Sequence, residues 1–188
     1  SEDNLILVGR SNSFGVDNYD VLTVKLDSEG NSLWNVTAGG AEFDYGEGVA
    51  VDSSDNILIN GRTNSFGTYA FWVIKYNSLG EEIWNNVLGG SNHEYGYGFA
   101  VDSFDNVIVT GETYSYGGGV PNVWVVKLDS AGNHLWNTTA GGSSGDVGRD
   151  LVVDSEGNII VTGYTLSFGV SGSDFFTAKF DSEGALLW

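Results

Sequence analysis

The chain has no cysteine and no methionine, a single proline, and seven basic residues against 25 acidic ones. Without cysteine there is no disulfide, no thiolate metal site and no cysteine nucleophile. The lack of methionine, even at position 1, leads us to expect a processed chain or a piece of something longer. No charged–apolar–small stretch opens the sequence. No apolar run approaches the roughly 18 residues that a membrane-spanning helix requires, so no membrane insertion is expected. A formal net charge of −18 repels phosphate, which argues against nucleic acid and against anionic membrane as partners. Apolar residues nevertheless make up 41% of the 188, enough for a packed core and too many for an acidic disordered tail.

What is present repeats. The segments NLILVGRSNSFG from Asn4, NILINGRTNSFG from Asn56, NVIVTGETYSYG from Asn106 and NIIVTGYTLSFG from Asn158 align at offsets of 52, 50 and 52. Trp34, Trp84, Trp136 and Trp188 repeat at 50, 52 and 52, as do all four lysines, Lys25, Lys75, Lys127 and Lys179. Gly-Gly pairs recur at 39–40, 89–90 and 141–142. Each repeat reads as four short strands: apolar runs rich in Val, Ile and aromatics, bounded by Gly, Asn, Asp and Ser. No amphipathic helix pattern is found.

Four strands in a period near 50 predict a β-propeller blade. The fold class is therefore all-β, with four-stranded antiparallel blades of about 50–52 residues and about 3.6 repeats present, approximately 1–40, 41–90, 91–142 and 143–188. Residues 1–188 read as a single propeller or a propeller fragment. The narrow GVAV-type strand is expected innermost and the Trp-bearing strand outermost, with Trp188 inside a fourth strand. A longer parent chain or a second copy is expected to complete the ring. A β-solenoid is the alternative fold.

The string D-Y-G-x-G-V-A-V-D-S-x-D-N-I-x-V-T-G-x-T-x-S-F-G, followed by F-W-V-V-K-L-D-S-x-G-N-x-L-W-N-x-T-x-G-G, resembles the SBBP-type β-propeller repeats of secreted and cell-surface proteins of archaea and bacteria. The resemblance covers the whole chain. It implies an extracellular or cell-surface location and a scaffold or adhesion role, and it brings no catalytic residues. KLDSEGNSLW from Lys25 and KLDSAGNHLW from Lys127 also resemble the tryptophan-docking repeat of quinoprotein dehydrogenases. Those enzymes use vicinal cysteines, which this chain lacks.

The candidate chemistry is sparse. The turns at Asp52, Asp55, Asp102 and Asp105 are oxygen-rich and leave Ca²⁺ open as a cofactor, although Asp and Asn make such turns unaided. Asp44, Glu94 and Asp146 precede the inner strands and could form an acidic ring that holds a cation. The register-locked lysines and tryptophans read as structural, since a functional residue need not recur in every blade. Residues that vary between blades are better ligand candidates: Tyr69, Tyr97, Tyr114, Tyr116 and Arg149, with Tyr19 and Tyr164 of the same kind. Asn35 and Asn137 begin N-glycosylation sequons. No catalytic residues emerge. The expected function is a non-catalytic extracellular propeller that binds protein or glycan through blade loops. A glycoside hydrolase or lyase sited at the central channel, and a subunit that self-assembles through open blade edges, are the alternatives.

Overall fold

A computed structural model describes residues 3–15 and 18–188. The fold is all-β, with fourteen antiparallel strands and no helix among the described residues. The first sheet holds β1 (Leu5–Ser11), β2 (Asp20–Leu26) and β3 (Ser32–Ala38). The second holds β4 (Asp44–Val51), β5 (Ile57–Thr63), β6 (Ala70–Tyr76) and β7 (Glu82–Leu88). The third holds β8 (Glu94–Val101), β9 (Val107–Thr113), β10 (Asn122–Leu128) and β11 (His134–Ala140). The fourth holds β12 (Asp146–Val153), β13 (Ile159–Thr165) and β14 (Asp174–Phe180). Strand order within each sheet follows the chain. These are meanders of the propeller-blade kind.

The strands pack as two compact units, Ser1–Leu88 and Gly89–Trp188, each of two sheets. The sequence reads as one uninterrupted array, and the Gly-Gly pair at 89–90 gives no signal that its counterparts lack. In the first unit β4 packs against β1 and β2. In the second β12 packs against β8, β9 and β10. Each unit's core is built between its two sheets: Val21, Ile57, Ile59, Trp72 and Ile74 in the first, and Ile108, Val125, Leu151, Val161 and Phe180 in the second. The middle strands β6, β9 and β10 are buried at every position, which is why each carries a run of consecutive apolar residues, such as Val107, Ile108 and Val109 in β9, rather than strict alternation. Strands β3, β7 and β11 alternate between exposed and half-buried over most of their length, as suits an outer strand covered on one face.

The tryptophans and lysines stitch neighbouring sheets together. Trp34 Nε1 and Lys25 Nζ both donate to the carbonyl of Ser78, at 3.2 and 3.0 Å, in the next sheet. Trp136 Nε1 and Lys127 Nζ repeat this on Ser182 at 3.0 and 3.5 Å. The indole lies over a turn glycine: a Cβ on Gly80 would sit 3.1 Å from the Trp34 ring, and one on Gly184 would sit 2.8 Å from the Trp136 ring. Trp188 keeps the pairing: the Lys179 amide donates to its carbonyl at 2.9 Å and the Leu187 amide donates to the Lys179 carbonyl at 2.8 Å, the register of Lys25 with Trp34 and Lys127 with Trp136. A bridge joins Phe180 to Leu186 beside it, and Trp188 is 60% exposed.

Both hairpin families use one turn. Asp52 Oδ1 accepts from the amides of Ser54 and Asn56, and Oδ2 from Asn56 Nδ2. Asp102 and Asp154 do the same. The fourth turn residue is left-handed. Glycine fills that place at Gly30, Gly80, Gly132, Gly157 and Gly184, but Asp55 and Asp105 adopt φ of 61° and 60°. A left-handed side-chain-bearing residue costs roughly 1–2 kcal/mol, less for Asp. Asp55→Gly is therefore expected to stabilise the protein by about 0.5–1 kcal/mol. Gly157→Ala, at φ 82°, is expected to destabilise it by about 1 kcal/mol. Chemical denaturation of the two variants beside the parent checks both signs.

Candidate functional site

Three of the proposed metal-binding acids, Asp44, Glu94 and Asp146, open β4, β8 and β12 and are fully buried. Asp44 Oδ2 accepts from the Gly40 amide at 2.9 Å and from Ser65 Oγ at 2.7 Å. Glu94 accepts from the Gly90 amide at 2.9 Å and from Thr113 Oγ1 at 3.1 Å. Asp146 accepts from the Gly142 amide and Ser167 Oγ, both at 2.7 Å, and from Thr165 Oγ1. These carboxylates are turned into the Gly-Gly connection and the T-x-S corner of their own sheet. They do not line an open mouth.

The other four metal candidates are also committed to structure. Asp52 Oδ2 and Asp102 Oδ2 each hold a lysine, Lys75 at 2.8 Å and Lys127 at 3.0 Å, and Lys179 lies 2.9 Å from Asp154 in the fourth sheet. Lys25 has Ser78 O instead. A lysine ammonium thus stands where a cation would be placed. Asp55 and Asp105 are the left-handed turn residues. Among the described residues, no three His, Cys, Asp or Glu side chains come together in a metal-holding group.

The ligand candidates divide. Tyr116 meets the Trp124 ring at 5.2 Å and a tilt of 36° and donates to Gly89 O, so it belongs to the second-to-third-strand corner. Tyr69 is half-buried just before β6. Tyr97, Tyr114, Arg149 and Tyr164 belong to one cluster of the second unit. Its origin is a β-bulge. The β8–β9 register shifts between Gly96 and Gly98, and the β12–β13 register between Gly148 and Asp150. The extra residues are Tyr97 and Arg149; Glu47 holds the same place in β4. A bulge re-aims its side chain and raises the local twist. The opposing glycine allows the close approach: a Cβ on Gly163 would meet Val147 O at 1.8 Å, and one on Gly61 would meet Tyr45 O at 1.9 Å.

From these bulges Arg149 places its guanidinium 4.2 Å from the Tyr97 ring centroid and 5.3 Å from that of Tyr164. Tyr97 Oη donates to Glu112 Oε1 at 2.9 Å, and Glu112 is buried. Tyr95 and Tyr114 meet edge-on at 6.3 Å beside it. Burial, reinforced by Glu112 and the neighbouring tyrosines, pushes the Tyr114 phenol above its ordinary pKa, so it stays a neutral donor. The first unit carries a related cluster. Arg10 lies 4.9 Å from the Tyr19 ring centroid and 4.8 Å from that of Tyr45, and Arg62 lies 4.7 Å from the Tyr45 centroid. Arg62 also pairs with Glu47 at 3.4 Å.

Sequence reasoning passed over Arg10, Tyr45, Glu47, Arg62, Tyr95 and Glu112. Two signals could have found four of them: the variable residue of G-x-T or G-x-S on the second strand (Arg10, Arg62, Glu112, and also Tyr164), and the residue after Gly46, Gly96 and Gly148 (Glu47, and also Tyr97 and Arg149), which breaks strand alternation; neither picks out Tyr45 or Tyr95. All three arginines of the chain occupy these variable places, while all four lysines occupy repeated ones. The sequons Asn35 and Asn137 are exposed on β3 and β11; Asn137 Oδ1 also accepts Trp124 Nε1 at 3.2 Å.

No family model matches the sequence. The chain is 31% identical over 86 residues to an uncharacterized WD repeat-containing protein of Acanthamoeba polyphaga mimivirus. The repeats are of the β-propeller type. The alignment covers 37% of this chain, and the chain spans 6% of that relative's length.

The buried pairs make two predictions. Burial alone would raise the Asp102 carboxyl; the hydrogen bonds from Asn106, Lys127 and the turn amides outweigh it and hold the group below its usual 3.8. Asp52 behaves likewise. A depressed carboxyl contributes stability that is whole above the unfolded pKa and is lost as pH falls through the folded one. Stability is thus expected to be flat down to about pH 5 and to fall below about pH 4. Lys127→Met leaves Asp102 buried without its cation and should cost about 3 kcal/mol at neutral pH. The gap to the parent should narrow in acid, where Asp102 protonates. Urea unfolding between neutral pH and the acid limb tests both.

Proposed function

We propose that this chain is a non-catalytic binding module of the SBBP repeat type, belonging to an extracellular or cell-surface protein and engaging protein or glycan as a scaffold or adhesion domain. The observation that carries this reading is the division of the bases. Lysines at repeated positions are held in structural contacts, whereas arginines and tyrosines at variable positions cluster together, in the second unit on the bulge residues Tyr97 and Arg149. Residues that the repeat does not require are the ones free to serve a ligand, and rigid strands hold them better than loops would. The face is the bulge-bearing side of the first strands, rather than the connecting loops. Exposed sequons on the outer strands Ser32–Ala38 and His134–Ala140 support an extracellular setting, because glycans there would leave the bulge residues uncovered.

An array of purified surface polysaccharides and cell-surface proteins, probed with the intact chain, tests this. Saturable binding without product formation is expected. Tyr97→Ala should weaken it about tenfold or more, while Leu135→Ala on the exposed outer strand should leave it unchanged. Release of reducing sugar from any retained glycan, or equal loss with Leu135→Ala, would sink the reading.

A further inference from the structure

The least expected feature of the second unit is an arginine without an acid. The chain carries 25 carboxylates against seven bases, yet Arg149 makes no ion pair and no side-chain hydrogen bond among the described residues. It is exposed, and its contacts are the faces of Tyr97 and Tyr164. Arg10 shows the same state on Tyr19 and Tyr45 in the first unit. The two are not repeat equivalents. Arg10 sits on a second strand and Arg149 on a first-strand bulge, so the repeat does not dictate the pose.

These ring contacts leave the planar N–H fork of Arg149 without an ion-pair or hydrogen-bond partner among the described residues. That fork matches a carboxylate bidentately. Tyr97 is itself held by Glu112, so the platform is set before a ligand arrives. Around it stand the phenols of Tyr95, Tyr114 and Tyr164, which suit a hydroxyl-bearing partner. The net charge of −18 weighs against a polyanion, whose many charges would be repelled, and less against one carboxylate set among neutral hydroxyls.

The geometry points to Arg149, on its Tyr97–Tyr164 platform, as a recognition site for the carboxylate of an acidic sugar of the uronic acid class. This rests on the reading of the bulge face as a binding surface and names the chemistry that it selects.

The chain has three arginines, so an ¹⁵N-labelled sample gives three Nε–H signals, assigned by single Arg→Lys variants. The intact protein is titrated with sodium glucuronate, glucose, N-acetylglutamate and sodium chloride at matched ionic strength. Glucuronate should shift the Arg149 signal saturably, at least about tenfold more tightly than glucose or N-acetylglutamate. Arg149→Gln, an exposed and conservative change, should abolish this preference, read in that variant on the backbone amide signals of Tyr97 and Tyr164, while the unfolding midpoint stays in place. Glucose binding as tightly as glucuronate would overturn the carboxylate assignment and leave the bulge face standing as a neutral-glycan site. Tighter binding of N-acetylglutamate would overturn it in favour of acidic peptide. A shift matched by sodium chloride, or none with any probe, would overturn it outright.

Discussion

The buried acid at the start of each first strand is the contact on which the rest of a blade depends. Asp44, Glu94 and Asp146 each take the amide of the second glycine in the preceding Gly-Gly connection. Asp44 and Asp146 also take the Ser hydroxyl of the T-x-S corner, and Glu94 and Asp146 the Thr hydroxyl. One carboxylate thereby joins the chain's entry into a sheet to the corner between that sheet's second and third strands. A fully buried carboxylate is tolerable only with such partners. Its removal would strand the loop amides and hydroxyls at once, which makes it a register pin for the sheet as much as a source of stability.

At the other end of the strands a second device couples the first sheet to the second and the third to the fourth. Lysine and tryptophan face each other across a strand pair and share one carbonyl of the following sheet. For Lys127 the same ammonium also neutralises Asp102 in its own sheet. The indole lies on a glycine that is itself required by the left-handed turn. Turn geometry, ion pair and inter-sheet packing are thus met by the same few residues, which explains why they recur in fixed register. Between the two ends, the bulges are places where the repeat relaxes its demand. The ladder needs glycine opposite, but it does not specify the residue that is pushed out. Glu47, Tyr97 and Arg149 fill that place with three different chemistries on one backbone.

The four-stranded blades, their order and the division between repeated and variable positions were legible in the sequence. They follow from period, from apolar runs bounded by turn residues, and from the D-x-x-G-N and D-x-x-D-N turns, whose hydrogen bonds are local. The structural character of the lysines was legible for the same reason, since a side chain demanded by every blade repeats in every blade. The direction of the acids was not. An Asp before a strand has the same sequence appearance whether it faces solvent or is buried on a Gly-Gly amide.

Sequence by itself determined the all-β repeat, because strand propensity, turn chemistry and a 50–52-residue period are properties of neighbours along the chain. Tertiary structure alone decided which variable residues meet. Arg149 lies 52 residues from Tyr97 and 15 from Tyr164, and contact at 4.2 and 5.3 Å depends on two bulges turning side chains of adjacent sheets toward each other. Bulge register and sheet packing are long-range outcomes. They are set by how the ladders close, and no local pattern encodes the meeting of a guanidinium with two rings from different strands.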